Sequence, residues 1–110
     1  MGVSFETHVR AALDSLPPHL ATALDNVAVV IEDEHPEEPD LYGLYEGTPL
    51  PERGDMAGAL PDTITIFRLP LQEDFADPQD LEGEIRITVL HELGHYFGLD
   101  EDRLAELGYE

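Results

Sequence analysis

The chain has no cysteine, no lysine and no tryptophan among its 110 residues. Without cysteine there is no disulfide, no thiolate metal ligand, no thiol nucleophile and no redox centre. Without lysine there is no Schiff-base amine, and the phosphate-binding lysine of a P-loop is missing too. Cationic side chains are scarce altogether: five arginines stand against 25 acids, a formal charge of −20. A surface of that sign repels polyphosphate and anionic lipid headgroups, so neither nucleic acid nor a membrane surface is an expected partner. Partners of neutral, basic or metallic character are expected instead. Serine is also rare, with Ser4 and Ser15 the two examples, which leaves a serine triad little to build on. Long apolar runs are missing as well. The stretch Val27 to Ile31 is five residues, against about 20 needed to span a bilayer.

What is present suits one folded unit. A hydrophobic content of 42% lies near the globular range, and the length allows one domain, residues 1–110, with a modest core. The N-terminus has no basic segment followed by an apolar one, so no secretory signal is read and a cytoplasmic location is expected.

Apolar residues Phe5, Val9, Ala12, Leu13 and Leu16 recur at helical spacing behind Ser4, a good N-cap. Pro17 and Pro18 stop that helix, and Leu20 with Leu24 suggests a short helical piece ending near Asp25 and Asn26. Val27 to Ile31 reads as a buried strand because it is short and β-branched. Residues 32–62 carry five prolines and four glycines and read as a long loop, with an acidic, solvated stretch from Glu32 to Asp40. Thr63 to Phe67 alternates as a second strand, with Ile64 and Ile66 on one face and the other face expected to be accessible. Asp77, Pro78 and Asp80 form a helix start, and the four-residue spacing of Leu81, Ile85, Val89 and Leu93 carries that helix to Phe97, where Gly98 suits a left-handed end. A last short helix is expected from Asp102 to Leu107.

The long helix contains His91-Glu92-Leu93-Gly94-His95. Histidines four apart share a helix face and converge on one ion, while the glutamate between them reaches a water on that ion. Zinc requires a further protein ligand and an open position for water. Gly98 lets the chain leave the helix and turn back, and Glu101 follows ten residues after His91, with Asp100 and Asp102 as alternatives beside it. By composition alone, the two histidines, the glutamate, the glycine and a following acid would occur in register roughly 0.0005 times in such a chain. The motif is therefore not noise. His8, His19 and His35 lie outside it and read as surface or helix-packing residues.

At this point the chain resembles the minimal zincin-like metallopeptidases, small bacterial single-domain proteins with an HExxHxxGxxD signature. The segment HELGHYFGLDEDRL carries the motif, and LDSLPPHLATALDNVAVVIEDE, LYGLYEGTPLPERG and LPDTITIFRLPL are similar to recurring stretches of that family. The resemblance implies a compact α/β (α+β) domain, with a small mixed sheet packed on the long active-site helix and an N-terminal helix. It also implies Zn2+ held by His91, His95 and the acid matching Glu101, with Glu92 as general base. The sequence departs from the pattern in placing Glu where the family has Asp.

The chemistry expected of such a site is metal-assisted amide hydrolysis of a peptide or flexible protein segment, basic ones included, by a zinc metallopeptidase. A substrate would add as a strand along a sheet edge, for which Thr63 to Phe67 is the expected candidate. Tyr42, Tyr45, Arg68, Arg86 and Tyr109 are all eligible as oxyanion stabilisers, none favoured by spacing. Both methionines precede the motif and nine residues follow Glu101, so the expected cleft is open on one side. The 36–62 loop, a second copy or a partner would complete it. The alternative from another class is a non-catalytic zinc-binding or protein-interaction module, in which the metal ties the last helix to the C-terminal turn.

Overall fold

The computed structural model describes residues 4–47 and 62–106. Helix α1 (Phe5–Asp14) starts where the Ser4 hydroxyl accepts the Thr7 backbone N–H, and it buries Phe5, His8, Val9 and Ala12. After Pro17, helix α2 (Pro18–Ala23) runs into a 3-10 turn at Leu24–Asn26. Three strands follow: β1 (Val27–Glu32), β2 (Gly43–Glu46) and β3 (Asp62–Phe67). Helix α3 (Arg68–Asp74) leaves β3 directly, α4 (Pro78–Tyr96) is the longest element, and α5 (Glu101–Glu106) follows it. This is an α+β fold with a small mixed sheet. Among the described residues, no helix is long and apolar enough to cross a membrane.

The sheet order is β1-β3-β2, with β1 parallel and β2 antiparallel to β3. That order corrects two expectations from the sequence. Val27 to Ile31 is not a buried strand: β1 lies at an edge, Ala28 and Val30 are exposed, and alternate residues face the core. Thr63 to Phe67 is not an edge with an open face. It is the central strand, paired on both sides. Ile64 and Ile66 point into the core, while Thr65 and Phe67 on the opposite face are also buried. The His35 ring, edge-on at 5.8 Å from Phe67, covers part of that face. The acidic stretch thus carries one residue that folds back on the sheet.

Two further elements were not read from the sequence. β2 lies within the proline- and glycine-rich stretch taken as loop, and only its pairing with β3 makes it a strand. α3 contains Pro70 in its first turn, where a missing N–H costs nothing. In α4 the Asp77 carboxylate accepts the Asp80 N–H at 3.4 Å and Pro78 takes the first helical position. Leu81, Ile85, Val89 and Leu93 are buried, and the C-terminal half also buries Thr88, Leu90, Glu92, Gly94 and Tyr96. The core joins α1, α4 and the inner face of the sheet. Each fully buried aliphatic side chain there contributes about 1.5–3 kcal/mol. Stability therefore comes mainly from this apolar core, to which α5 adds the buried Leu104.

Candidate metal centre

His91 and His95 sit one turn apart near the end of α4, their ring centroids 5.0 Å apart. The helix stops just beyond them. Phe97 is the C-cap and Gly98 takes φ 88°, a left-handed conformation that a side chain would strain. The turn is closed by the Gly98 N–H on the His95 carbonyl and the Leu99 N–H on the Gly94 carbonyl. Asp100 then starts α5, its carboxylate accepting the Arg103 N–H at 2.9 Å. Glu101, the first residue of α5, consequently faces back toward α4. Its Oε1 lies 2.7 Å from His95 Nε2 and 3.2 Å from His91 Nε2. Of the three neighbouring acids, Asp100 is thus engaged as a cap and Glu101 joins the histidines.

His91, His95 and Glu101 bring one ligand atom each to within 4.8 Å of one another, and they form the group of potential metal donors found among the described residues. The donor chemistry fits a divalent cation. His95 Nδ1 lies 3.1 Å from the Leu99 carbonyl and can only donate to it. That bond leaves Nε2 as the ring atom aimed at the Glu101 carboxylate, whose Oε1 lies 2.7 Å away. His91, His95 and Glu101 would together hold a divalent cation, and the Leu99 carbonyl orients the His95 ring for it. The side chain of Glu101 is 69% exposed, so the remaining side of the donor group opens to solvent. That openness suits a site with a water position rather than a closed four-ligand one.

Glu92 occupies different surroundings. It is buried at 7% exposure, and its Oε2 lies 3.9 Å from His91 Nε2. Burial pushes its carboxyl above the ordinary range. The nearby His91 and His95 and the backbone N–H of Tyr45 oppose the shift, whereas Glu101 adds to it. A carboxylate raised in this way is a better proton acceptor near neutral pH. The Tyr45 contact follows from sheet geometry. The Phe67 N–H bonds the Tyr42 carbonyl at 2.8 Å, so in the antiparallel ladder Tyr42, Leu44 and Glu46 turn toward β3. Gly43 and Tyr45 turn their backbone groups to the outer edge. That edge lies beside Glu92.

Close approach of β2 to α4 depends on Gly43. A Cβ there would stand 2.5 Å from Thr88 Cγ2 and 3.4 Å from Glu92 Cγ. Nothing local in the sequence marks this glycine, because the side chains it must clear, Thr88 and Glu92, are distant in the chain. Gly94 plays a similar part on the other side, where a Cβ would stand 2.2 Å from Leu104 Cδ2.

Of the residues eligible as oxyanion stabilisers, Tyr42 donates its hydroxyl to Asp74, Tyr45 donates to Asp62 at 2.8 Å, and Arg68 pairs with Asp33. Arg86 lines a groove between α1 and α4 with Ala12 and Ser15. Tyr109 lies outside the described residues, as does residue 107 of the expected last helix. The 36–62 loop expected to complete the cleft is described only as far as residue 47 and again at residue 62. His8 packs between helices with Nδ1 3.1 Å from Glu82, as expected of a histidine outside the motif.

A three-stranded sheet backing a helix with two convergent histidines, and a turn that returns an acid to them, defines a zincin-like metal-binding domain. A family model described as zincin-like metallopeptidase matches residues 24–109, and the chain belongs to that family. The family implies a metal, usually zinc. No curated protein matches the chain.

Proposed function

We propose that the protein is a zinc-dependent peptidase whose His91, His95 and Glu101 hold the ion and whose Glu92 is the general base. The observation that carries this reading is the pairing of an open three-donor group with a buried carboxylate on the same helix turn, beside a strand edge. Zinc held by these residues would lower the pKa of a bound water and polarise the scissile carbonyl. Glu92 accepts the water proton on its carboxylate and delivers it to the leaving amine nitrogen. The Tyr45 N–H bonds that carboxylate, and burial raises its basicity.

A peptide docks along β2 rather than along the central β3. The outward N–H and C=O of Gly43 offer main-chain pairing of the kind used in strand addition. Recognition through the backbone tolerates varied sequences. A purely structural role for the metal fits less well. The apolar core already joins α1, α4 and the sheet, whereas the donor group ties down only the six-residue α5.

Glu92→Gln tests the reading. It should leave zinc content and melting temperature unchanged while lowering hydrolysis of unstructured peptides by about 10²-fold or more. Hydrolysis by Glu92→Gln at the wild-type rate would remove Glu92 from the mechanism. A zinc-loaded wild-type protein that cleaves no member of a diverse peptide library would overturn the peptidase reading.

A further inference from the structure

A cavity of about 270 Å³ opens directly beside His91 and Glu92. It lies toward the start of α4 from the donor group, between that helix and the segment entering β2. Leu41, Ile87 and Thr88 supply apolar wall, and Asp40 and Glu84 stand at the two sides. Thr88 donates its hydroxyl to the Glu84 carbonyl at 2.8 Å, which turns its methyl toward Gly43 and keeps the wall apolar. The volume is slightly below the roughly 300–1,000 Å³ of small-molecule pockets, a size for one side chain.

Charge selects which side chain. None of the described arginines lines the cavity, and neither Asp40 nor Glu84 has an ion-pair partner among the described residues. The negative field is felt by the Tyr42 phenol on the same wall. Its hydrogen bond to Asp74 is the main reason its pKa is pushed up to about 12, and Glu84 and Asp40 add to the rise. An apolar slot with acidic sides matches a long aliphatic stem that ends in a cation.

Resting on the peptidase reading, we infer that this cavity is a specificity subsite that takes a lysine or arginine side chain flanking the scissile bond, with Asp40 and Glu84 pairing its charged end. The substrate class is therefore basic peptides or basic flexible segments. Two partly solvated ion pairs give a moderate preference, about tenfold over a neutral side chain of equal length. At 1 M salt, where the Debye length is about 3 Å, most of that preference disappears.

The test uses the zinc-loaded wild-type protein and short peptides bearing a zinc-binding hydroxamate. The residue on either side of the anchor is lysine, its neutral counterpart norleucine, or glutamate. Calorimetric titration should rank lysine about tenfold above norleucine, with glutamate weakest. The double variant Asp40→Asn with Glu84→Gln should bring lysine and norleucine within twofold of each other while leaving norleucine affinity unchanged. Equal binding of lysine and norleucine by the wild type overturns the inference, and so does a lysine preference that survives in the double variant. A lysine preference without cleavage of the matching plain peptides supports the subsite and refutes only the peptidase reading.

Discussion

Gly94 holds the second metal-facing element in place, and Gly94→Ala separates its effect on the site from its effect on the fold. The added Cβ would stand 2.2 Å from Leu104 Cδ2, 3.3 Å from Cγ and 3.4 Å from Cδ1. Ordinary carbon contacts are about 3.5–4.0 Å, so the shortfall is roughly 1.5 Å. Leu104 is fully buried, and turning it exchanges one crowded methyl for the other. Overpacking costs about 1–3 kcal/mol, and alanine recovers about 1 kcal/mol of helix propensity relative to glycine. The net loss of stability without zinc is therefore small, about 0–2 kcal/mol. The least costly relief is outward movement of α5, which carries Glu101 three residues before Leu104. Metal ligands tolerate about 0.2 Å, so a shift approaching 1.5 Å detaches Glu101 and should weaken zinc binding by about 100-fold or more.

Competition with a chromophoric chelator reads the affinity, and thermal melts with and without zinc provide a second measure. At free zinc about 100 times the wild-type Kd, the ion stabilises the wild type by about 2.7 kcal/mol. A 100-fold weaker variant retains only about 0.4 kcal/mol of this. The zinc-induced rise in Tm should therefore shrink by roughly 10 °C. Adding Leu104→Ala to Gly94→Ala removes the clashing methyls and should recover part of the affinity. Wild-type zinc affinity in Gly94→Ala refutes the reasoning, as does a double variant that binds no better than the single one.

Gly43→Ala acts on the opposite side of the same helix turn. Its Cβ meets Thr88 Cγ2 at 2.5 Å and pushes β2 away from Glu92. Peptide hydrolysis should fall about tenfold or more with zinc affinity unchanged, and unchanged kcat/KM would contradict the proposed role of the edge. Tyr42 offers a pH-dependent check. Its phenol is raised to about 12 chiefly by the hydrogen bond to Asp74, while the unfolded chain titrates near 10. Between those values the unfolded state has lost the proton and the folded state keeps it, so this contribution to stability is present below pH 10 and declines as pH rises from about 10 to about 12. Denaturant midpoints should show the decline in the wild type and not in Tyr42→Phe. A phenol absorbance titration should find one tyrosine near 12, and its absence would contradict the Asp74 contact.

Local features were legible in sequence because the causes lie within a few residues. The Ser4 and Asp77 caps, the Pro78 start, the Gly98 stop and the i,i+4 histidines each depend on helix periodicity or on a single backbone conformation. The amino-acid sequence alone therefore determined the long helix, where it begins and ends, and the shared face of His91 and His95. Family membership was readable from the same motif and from the stretches around it.

Tertiary structure decided what depends on distant pairs. β2 became a strand because β3 supplied its hydrogen bonds, and β3 became central because two partners flank it, although its alternation suggested an open face. The buried face carrying Thr65 and Phe67 needed His35, about 30 positions away, to cover part of it. Among the three consecutive acids, composition offered no choice. The turn at Gly98 made Asp100 a helix cap and directed Glu101 to the histidines. Gly43 and Gly94 matter because Thr88 and Leu104 approach them across the packed interior, and the acid-sided cavity exists only where Asp40 and Glu84 meet across it. An excess of 20 negative charges sets the sign of the surface. The folded arrangement decides which of those charges face a metal, cap a helix or border a cavity, because pairing and burial act at distances of a few ångströms, whatever the separation along the chain.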